Sequence, residues 1–293
     1  MPGGLLPGGY FDAGGRLQRD FDLGVLTGRE EELLTQAHHP RPAALVTEVL
    51  SRCVRRLGDI SPVPPEVARD LLVADRIYLM LQLRRDTFGD RVRANLTCPW
   101  PGCGERVSLD FAISDVPVEA APQPGPLHSM TLSAAAGGRA GCEVTFRLPI
   151  GADQEELTDL LNDNEGAALT ALLARCIRAI GADSDPDEES IADLSSLARS
   201  EIEERMRHVA PSVAQTMDAR CTECGRAFTA PFDVQRFFLG ELRADGARLY
   251  QEVHYLAYHY HWAESEIMAM TRDKRQTYID VLADAIGALN DGA

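Results

Sequence analysis

The sequence predicts a mainly helical α+β protein made of two related units, each ending in a cysteine hairpin, with a helical subdomain at the C-terminus. Three observations predict it: a run of landmarks that recurs 123 residues later, two cysteine pairs at matching places in that run, and a final stretch of apolar residues at helical spacing. Self-similarity at a fixed offset marks a repeated structural unit.

The recurrence is clearest between AALVTEVLSRCVRRLG (43–58) and GAALTALLARCIRAIG (166–181), where Arg52-Cys53 returns as Arg175-Cys176, 123 positions on. Cys98 returns as Cys221 at the same offset, and Cys103 as Cys224 at 121, because the first knuckle is two residues longer. Upstream, FDLGVLTGREEELL (21–34) resembles FRLPIGADQEELTDLL (146–161). Each unit reads as strand, short helix, longer helix, second helix and cysteine hairpin. In the first unit Leu45, Val49, Cys53, Val54 and Leu57 share a helical face, which carries that helix through Leu57 and sets Arg52, Arg55 and Arg56 on its solvated side. The prolines of SPVPPEVARDLLVADRIYLMLQLRRDTFG introduce the next helix, and DPDEESIADLSSLARSEIEERMRHV is its second-unit equivalent. The resulting division is an N-terminal arm or hairpin (1–20), a first unit (21–117), a Pro/Gly/Ala-rich loop or linker (118–141), a second unit (142–240) and a C-terminal helical subdomain (241–293).

Seven cysteines in a chain that opens on MPGGLLPGGYFDAGG, without the basic-then-apolar build of a secretory signal, fit a reducing compartment. There, paired cysteines bind metal more often than they form disulfides. The cytoplasm is the expected location, since no apolar run approaches the ~18 residues of a membrane span. Cys98, Cys103, Cys221 and Cys224 are therefore the expected ligands of one structural Zn2+ per chain, a pair from each unit. Thiolates are soft, anionic donors, and the Gly after each knuckle permits the turn. Reduced buried thiols and a disulfide across each turn are the alternatives. Cys53 and Cys176 read as small core residues. A four-sulfur sphere is closed, so it offers no site for water or substrate.

Composition narrows the function further. A net charge of −16 opposes sequence-independent binding to phosphate backbones and to anionic membrane surfaces. There is no GxGxxG, P-loop or GxSxG, and the histidines of ARLYQEVHYLAYHYHWAESEIMAM lack the glutamate of an HExxH site. The chain reads as a non-enzyme. On a helix, His254 and His261 share a face and His259 points elsewhere, while Leu249, Val253, Leu256 and Tyr260 form a packing stripe. Tyr250, His254, Tyr255, Tyr258, His259, Tyr260, His261 and Trp262 read either as a local core or as a partner-binding surface, since rings with polar tips suit half-wet contacts. Trp262 is expected to staple onto Ile267 at a helix start marked by Ala263 and Glu266. The last helix is expected to start after Thr271, to pack Tyr278, Leu282 and Ile286, and to stop at Gly287.

GGYFDAGGRLQRDFDLGVLTGREEELL, CPWPGCGERVSLDF, CTECGRAFTAPFD and LYQEVHYLAYHYHWAESEIMAM together resemble the T-even-type phage baseplate hub and assembly proteins, as found with phage-tail-like contractile injection systems. The resemblance implies a non-enzymatic part of a contractile machine or of its assembly line. Its implied partners are other baseplate or tail proteins, whether hub, spike or wedge subunits. It leaves open whether the chain enters the assembled particle or acts as an assembly chaperone absent from it. A zinc-ribbon adaptor for nucleic acid is the reading from another class.

Overall fold

The computed structural model describes residues 3–36, 42–137 and 142–291. In chain order the elements begin β1 (Gly3–Phe11), β2 (Leu17–Leu23), α1 (Gly28–Gln36), α2 (Pro42–Cys53), β3 (Val54–Leu57), α3 (Pro65–Asp70), α4 (Val73–Phe88), β4 (Arg91–Thr97) and β5 (Arg106–Ala112). They continue with β6 (Val118–Glu119), β7 (His128–Thr131), α5 (Ala134–Gly137), β8 (Glu143–Phe146), α6 (Gly151–Asp163), α7 (Glu165–Cys176), β9 (Ile177–Ile180) and β10 (Asp183–Ser184). The remainder is α8 (Glu188–Ala192), α9 (Ser196–Val209), β11 (Ser212–Val213), β12 (Thr216–Arg220), β13 (Ala227–Pro231), α10 (Val234–Tyr260), α11 (Glu264–Met268) and α12 (Arg272–Asp291). The protein is α+β, with 51% helix and 25% strand.

The chain divides into two compact units, each assembled from three stretches. One comprises Met1–Leu23, Pro40–Leu79 and Val116–Ala214; the other comprises Gly24–His39, Met80–Asp115 and Gln215–Ala293.

The first unit holds a three-stranded antiparallel sheet, β1-β2-β3, and a four-stranded one, β10-β9-β8-β7. Here the sequence reading is corrected, because α2 stops at Cys53, as α7 does at Cys176, and four residues follow each as strand. Val54 and Leu57, three apart, fit a helical face, and in β3 an irregularity that skips Arg55 lets both be buried. The strand prevails because β3 and β9 pair with β2 and β8, and Arg56 reaches across to Asp20 and Asp22 at 2.7 Å each. Arg55 and Arg56 thus lie on a strand, not a helix. The proline-led helix is likewise two helices, α3 and α4, with Pro65 inside the first turn, where the missing N–H costs nothing. Residues 118–137, read as linker, carry β6, β7 and α5, while 138–141 lie outside the described residues. The expected core thiols are in place: Cys53 and Cys176 are buried, and burial pushes the Cys176 thiol up to about 12.

Polar groups set the positions of the helices in this unit. Asp75, in the first turn of α4, accepts the backbone N–H groups of Gly8 and Gly9 at 2.7 and 2.8 Å. Its burial drives the carboxyl up to about 6, against those two bonds. Arg76 is wholly buried and donates to the Thr47 hydroxyl (2.7 Å) and to the carbonyls of Ala68 (2.9 Å) and Ala43 (2.7 Å). Asp153, at the start of α6, accepts from Arg147 and Arg175, and those bonds outweigh its burial and hold its pKa below the usual range.

The second unit contains the hairpins β4-β5 and β12-β13 with α1 and α10–α12. Leu249, Val253, Leu256, Ile267 and Met268 form its helical core, so the packing stripe read from the sequence is present. Glu266 accepts the Ala263 N–H at 3.0 Å, while Ala263 itself has no side-chain acceptor to return the bond. The final helix runs on to Asp291 and not to Gly287, since a glycine in a helix interior costs only about 1 kcal/mol. Arg275 is wholly buried in the fourth position of α12. It donates to Glu252 (2.9 Å), to both oxygens of Glu31 (2.9 Å) and to the Met270 carbonyl (2.9 Å), joining α1, α10 and α12.

Removing one partner of a buried ion network leaves the others charged and dry. Arg275→Ala is therefore expected to lower the unfolding free energy by about 3–5 kcal/mol, read from urea titrations of the purified chain. A loss under about 1 kcal/mol would show that water replaces the guanidinium there.

Candidate metal centre and exposed ring face

Two antiparallel hairpins carry the cysteines. In the first, Thr97 pairs with Arg106, and the knuckle closes through the Cys98 N–H to the Glu105 carbonyl (2.9 Å) and the Cys103 N–H to the Trp100 carbonyl (3.1 Å). In the second, Arg220 pairs with Ala227, and the Cys221 N–H reaches the Arg226 carbonyl at 3.0 Å. Gly104 (φ 67°) and Gly225 (φ 69°), each directly after its second cysteine, occupy the left-handed region that the turn requires.

The hairpins bring all four sulfurs together, every pair within 4.8 Å. Cys98 Sγ lies 3.8 Å from Cys224 Sγ, and Cys103 Sγ lies 3.7 Å from Cys221 Sγ. Metal–sulfur bonds of about 2.3 Å at tetrahedral angles place sulfurs roughly 3.8 Å apart, so the set fits a tetrahedral ion. The same distances exceed the ~2.05 Å of a disulfide, and all seven cysteines are free thiols. The backbone N–H of Cys224, aimed at the Cys221 sulfur, pulls that thiol down to about 7 against the opposing effect of burial. Burial raises the Cys98 thiol, and at Cys103 the Glu105 N–H is outweighed by burial and the neighbouring sulfurs, which push the thiol up to about 12. A bound cation would reverse the upward shifts. Anionic sulfur is the form a metal needs.

An apolar floor of Val107, Leu109 and Phe228 backs the cluster. Trp100 spans the hairpins: its indole N–H donates to the Ala227 carbonyl (3.2 Å) and its ring lies 5.6 Å below the Arg226 guanidinium. Sequence reasoning passed over this contact. Its only sign is the tryptophan inside the longer knuckle.

The structure distributes the C-terminal rings over two environments. Tyr260 stacks on Trp262 at 4.5 Å and both meet Tyr278 edge-on, so this trio is a local aromatic core, with Trp262 packed beside Ile267. Tyr258 is 68% exposed, with His254 and His259 exposed beside it. Its ring stacks against His254 at 6.3 Å and meets His259 at 5.1 Å, and Tyr255 touches His259 at 4.7 Å. Tyr250 is 43% exposed and donates to Glu32 at 2.8 Å. Two expectations change here. His259 belongs to the same ring group as His254, and His261 is not on the helix at all. It takes the left-handed position (φ 56°) just past the end of α10, its N–H bonding the Ala257 carbonyl. Glu31, Glu252 and Arg275 were not anticipated as a group, although Glu31 lies in the GREEELL motif.

No helix among the described residues is long and apolar enough to cross a membrane. The sequence pattern of the family described as T4 bacteriophage base plate protein matches residues 20–239, a stretch that includes both cysteine hairpins. No curated protein and no solved structure matches the chain.

Purified protein is expected to carry one tetrahedral metal ion per chain, and Cys98→Ser and Cys221→Ser are each expected to lose it. Elemental analysis by plasma mass spectrometry measures this; full metal content in both variants would exclude a shared site.

Proposed function

Because the chain belongs to the T4 bacteriophage base plate protein family, we propose that it is a non-enzymatic structural or assembly component of the baseplate of a contractile tail or tail-like injection system. The observation that carries this reading is the extent of the match, 20–239, which takes in every element from α1 through both cysteine hairpins. The metal is proposed to be zinc, one per chain. A closed set of four thiolates at tetrahedral spacing supports a structural ion, and such a site contributes on the order of 10 kcal/mol to folding. The proposed setting is cytoplasmic, with the chain meeting other baseplate subunits as the particle forms.

The proposed duplication draws support from element boundaries. α2 and α7, β3 and β9, and the first residues of α3 and α8 and of α4 and α9 all lie 123 positions apart. The pairings Phe21↔Leu57 and Val144↔Ile180 share that offset, as do the irregularities at Asp22/Leu23 and Thr145/Phe146. On this reading the chain is two units, 21–117 and 142–240, joined through 118–141, with 1–20 as a leading hairpin and 241–293 as a tail.

The exposed ring face of α10 is the proposed contact with a neighbouring subunit. Tyr250, His254, Tyr255, Tyr258 and His259 supply it, with His261 just past the helix end, while Tyr260 and Trp262 stiffen that end beneath. Changing Tyr258, His254 and His259 together to alanine is expected to leave the circular dichroism and metal content unchanged and to reduce assembled particles at least tenfold by electron microscopy. Normal particle yield from that strain would remove the ring face from assembly. Mass spectrometry of purified particles then separates a resident subunit from an assembly chaperone. Salt-sensitive DNA or RNA binding, opposed by the net charge of −16, would favour an adaptor instead.

A further inference from the structure

Two helices of this chain dock in the same way. α6 docks within the first unit. The Gly151 N–H donates to the Leu71 carbonyl (3.0 Å), the preceding Ile150 bridges Leu72, and Glu155 accepts from Thr47, which Arg76 also grips. α1 docks within the second unit. The Gly28 N–H donates to the Met270 carbonyl (3.1 Å), the preceding Thr27 bridges Thr271, and Glu31 accepts from Arg275. Leu71 and Met270 each stand two residues before a long helix, and Arg76 and Arg275 are each its fourth residue. Both docked helices open on glycine because the backbone lies against its seat. A Cβ on Gly151 would overlap the Arg76 guanidinium and come 2.7 Å from the Arg69 carbonyl, and one on Gly28 would come 3.1 Å from the Met268 backbone.

α7, α8 and α9 repeat the seat without its helix. Arg199 is the fourth residue of α9 and donates to the Thr170 hydroxyl (3.3 Å) and to the Ala192 carbonyl, as Arg76 does to Thr47 and Ala68. Thr170 bonds back to the Gly166 carbonyl (3.1 Å), as Thr47 does to Ala43 (3.4 Å). The difference is cover. Val46, on α2, is 0% exposed, whereas its counterpart Leu169 on α7 is 40% exposed, and Leu197 on α9 is 45% exposed. Arg76 is buried and Arg199 only half so. Among the described residues, no carboxylate is bonded to Thr170 or Arg199. The glycine-led α6 packs against α7 but makes its opening bond at Leu71, in the α4 seat.

We propose that the groove of α7, α8 and α9 is the docking seat for a helix of a partner chain that opens on glycine and carries glutamate in its first two turns. The chemistry of the occupant comes from the two filled seats, whose helices read GREEELL and GADQEEL. The incoming glycine N–H would reach the Leu194 carbonyl, the glutamate would meet Thr170 and Arg199, and the apolar side would cover Leu169 and Leu197. The seat follows from these contacts alone. That the partner is a baseplate subunit rests on the reading above.

A peptide spanning 148–164, stapled between the exposed positions 159 and 163 and labelled for fluorescence anisotropy, is the probe. Saturable binding to the full chain is expected. It should weaken at least tenfold with Arg199→Gln and with Leu169→Glu, both checked for native circular dichroism, and with a peptide bearing Gly151→Leu. No saturable binding, or binding that ignores both protein substitutions, overturns the seat. Normal particles from a Leu169→Glu strain that has lost peptide binding overturn its part in assembly and leave the family-based reading standing.

Discussion

Arg76 and Arg275 each place a full positive charge where no water reaches it, and the helices around them are arranged to make that bearable. A buried charge is costly unless it is paired or fully hydrogen-bonded. Guanidinium meets that condition better than ammonium because its five donors form a fixed fork. In the first unit the fork is filled largely by carbonyls and a hydroxyl, and burial pulls the Arg76 pKa down to about 10. In the second it is filled by two carboxylates and a carbonyl. The cost of burial is also visible on the acid side, since desolvation raises the Glu31 pKa even though Arg275 opposes it. Once these arginines are placed, the neighbouring helices have little freedom. Arg76 leaves no room for a Cβ on Gly151, the Met268 backbone crowds the one on Gly28, and the carboxylate of each helix falls within the next turn.

The metal hairpins obey a different and more local constraint. Four residues in the first knuckle, two in the second, and a left-handed glycine after each turn the strand and present two sulfurs, so the pairs are legible from their matching places. What the hairpins cannot do alone is stay folded, because a two-stranded ribbon is marginal in water. An ion held by all four sulfurs would fix both ribbons at once, where Val107, Leu109 and Phe228 give only a thin apolar floor.

Much of this was legible in the sequence because the informative spacings were short or repeated. The cysteine pairs, the helical stripe Leu249–Val253–Leu256 and the 123-residue offset needed no knowledge of the fold. The misreadings have one physical origin, which is that pairing between distant segments decides them. Val54 and Leu57, three apart, suit a helix face, and the pairing of β3 with β2, through an irregularity no local pattern announces, selects the strand. The first half of α10 is harder to read: Pro231 and Asp233 stand just ahead of it, but they also close the preceding hairpin, and Gly240 interrupts the helical pattern. Glu31, Glu252 and Arg275 are more than 20 residues apart at the closest, so no local pattern joins them. His261 could have been read better, because a helix must end where a Trp-led staple begins the next one.

An acidic chain offering a seat to an acidic helix looks at first like an electrostatic mismatch. Distance resolves it. At physiological ionic strength the screening length is about 8 Å, so the net charge of −16 is felt weakly by a helix that has not yet arrived. At contact, the partly desolvated guanidinium of Arg199 and the Thr170 hydroxyl dominate, and a carboxylate placed a turn after a glycine meets both. A helix lacking that carboxylate gains only the burial of Leu169 and Leu197, and one with a bulky first residue cannot approach the backbone. With long-range repulsion screened, selectivity rests on these contacts at short range, which admit the matching helix and reject one without the glycine or the carboxylate.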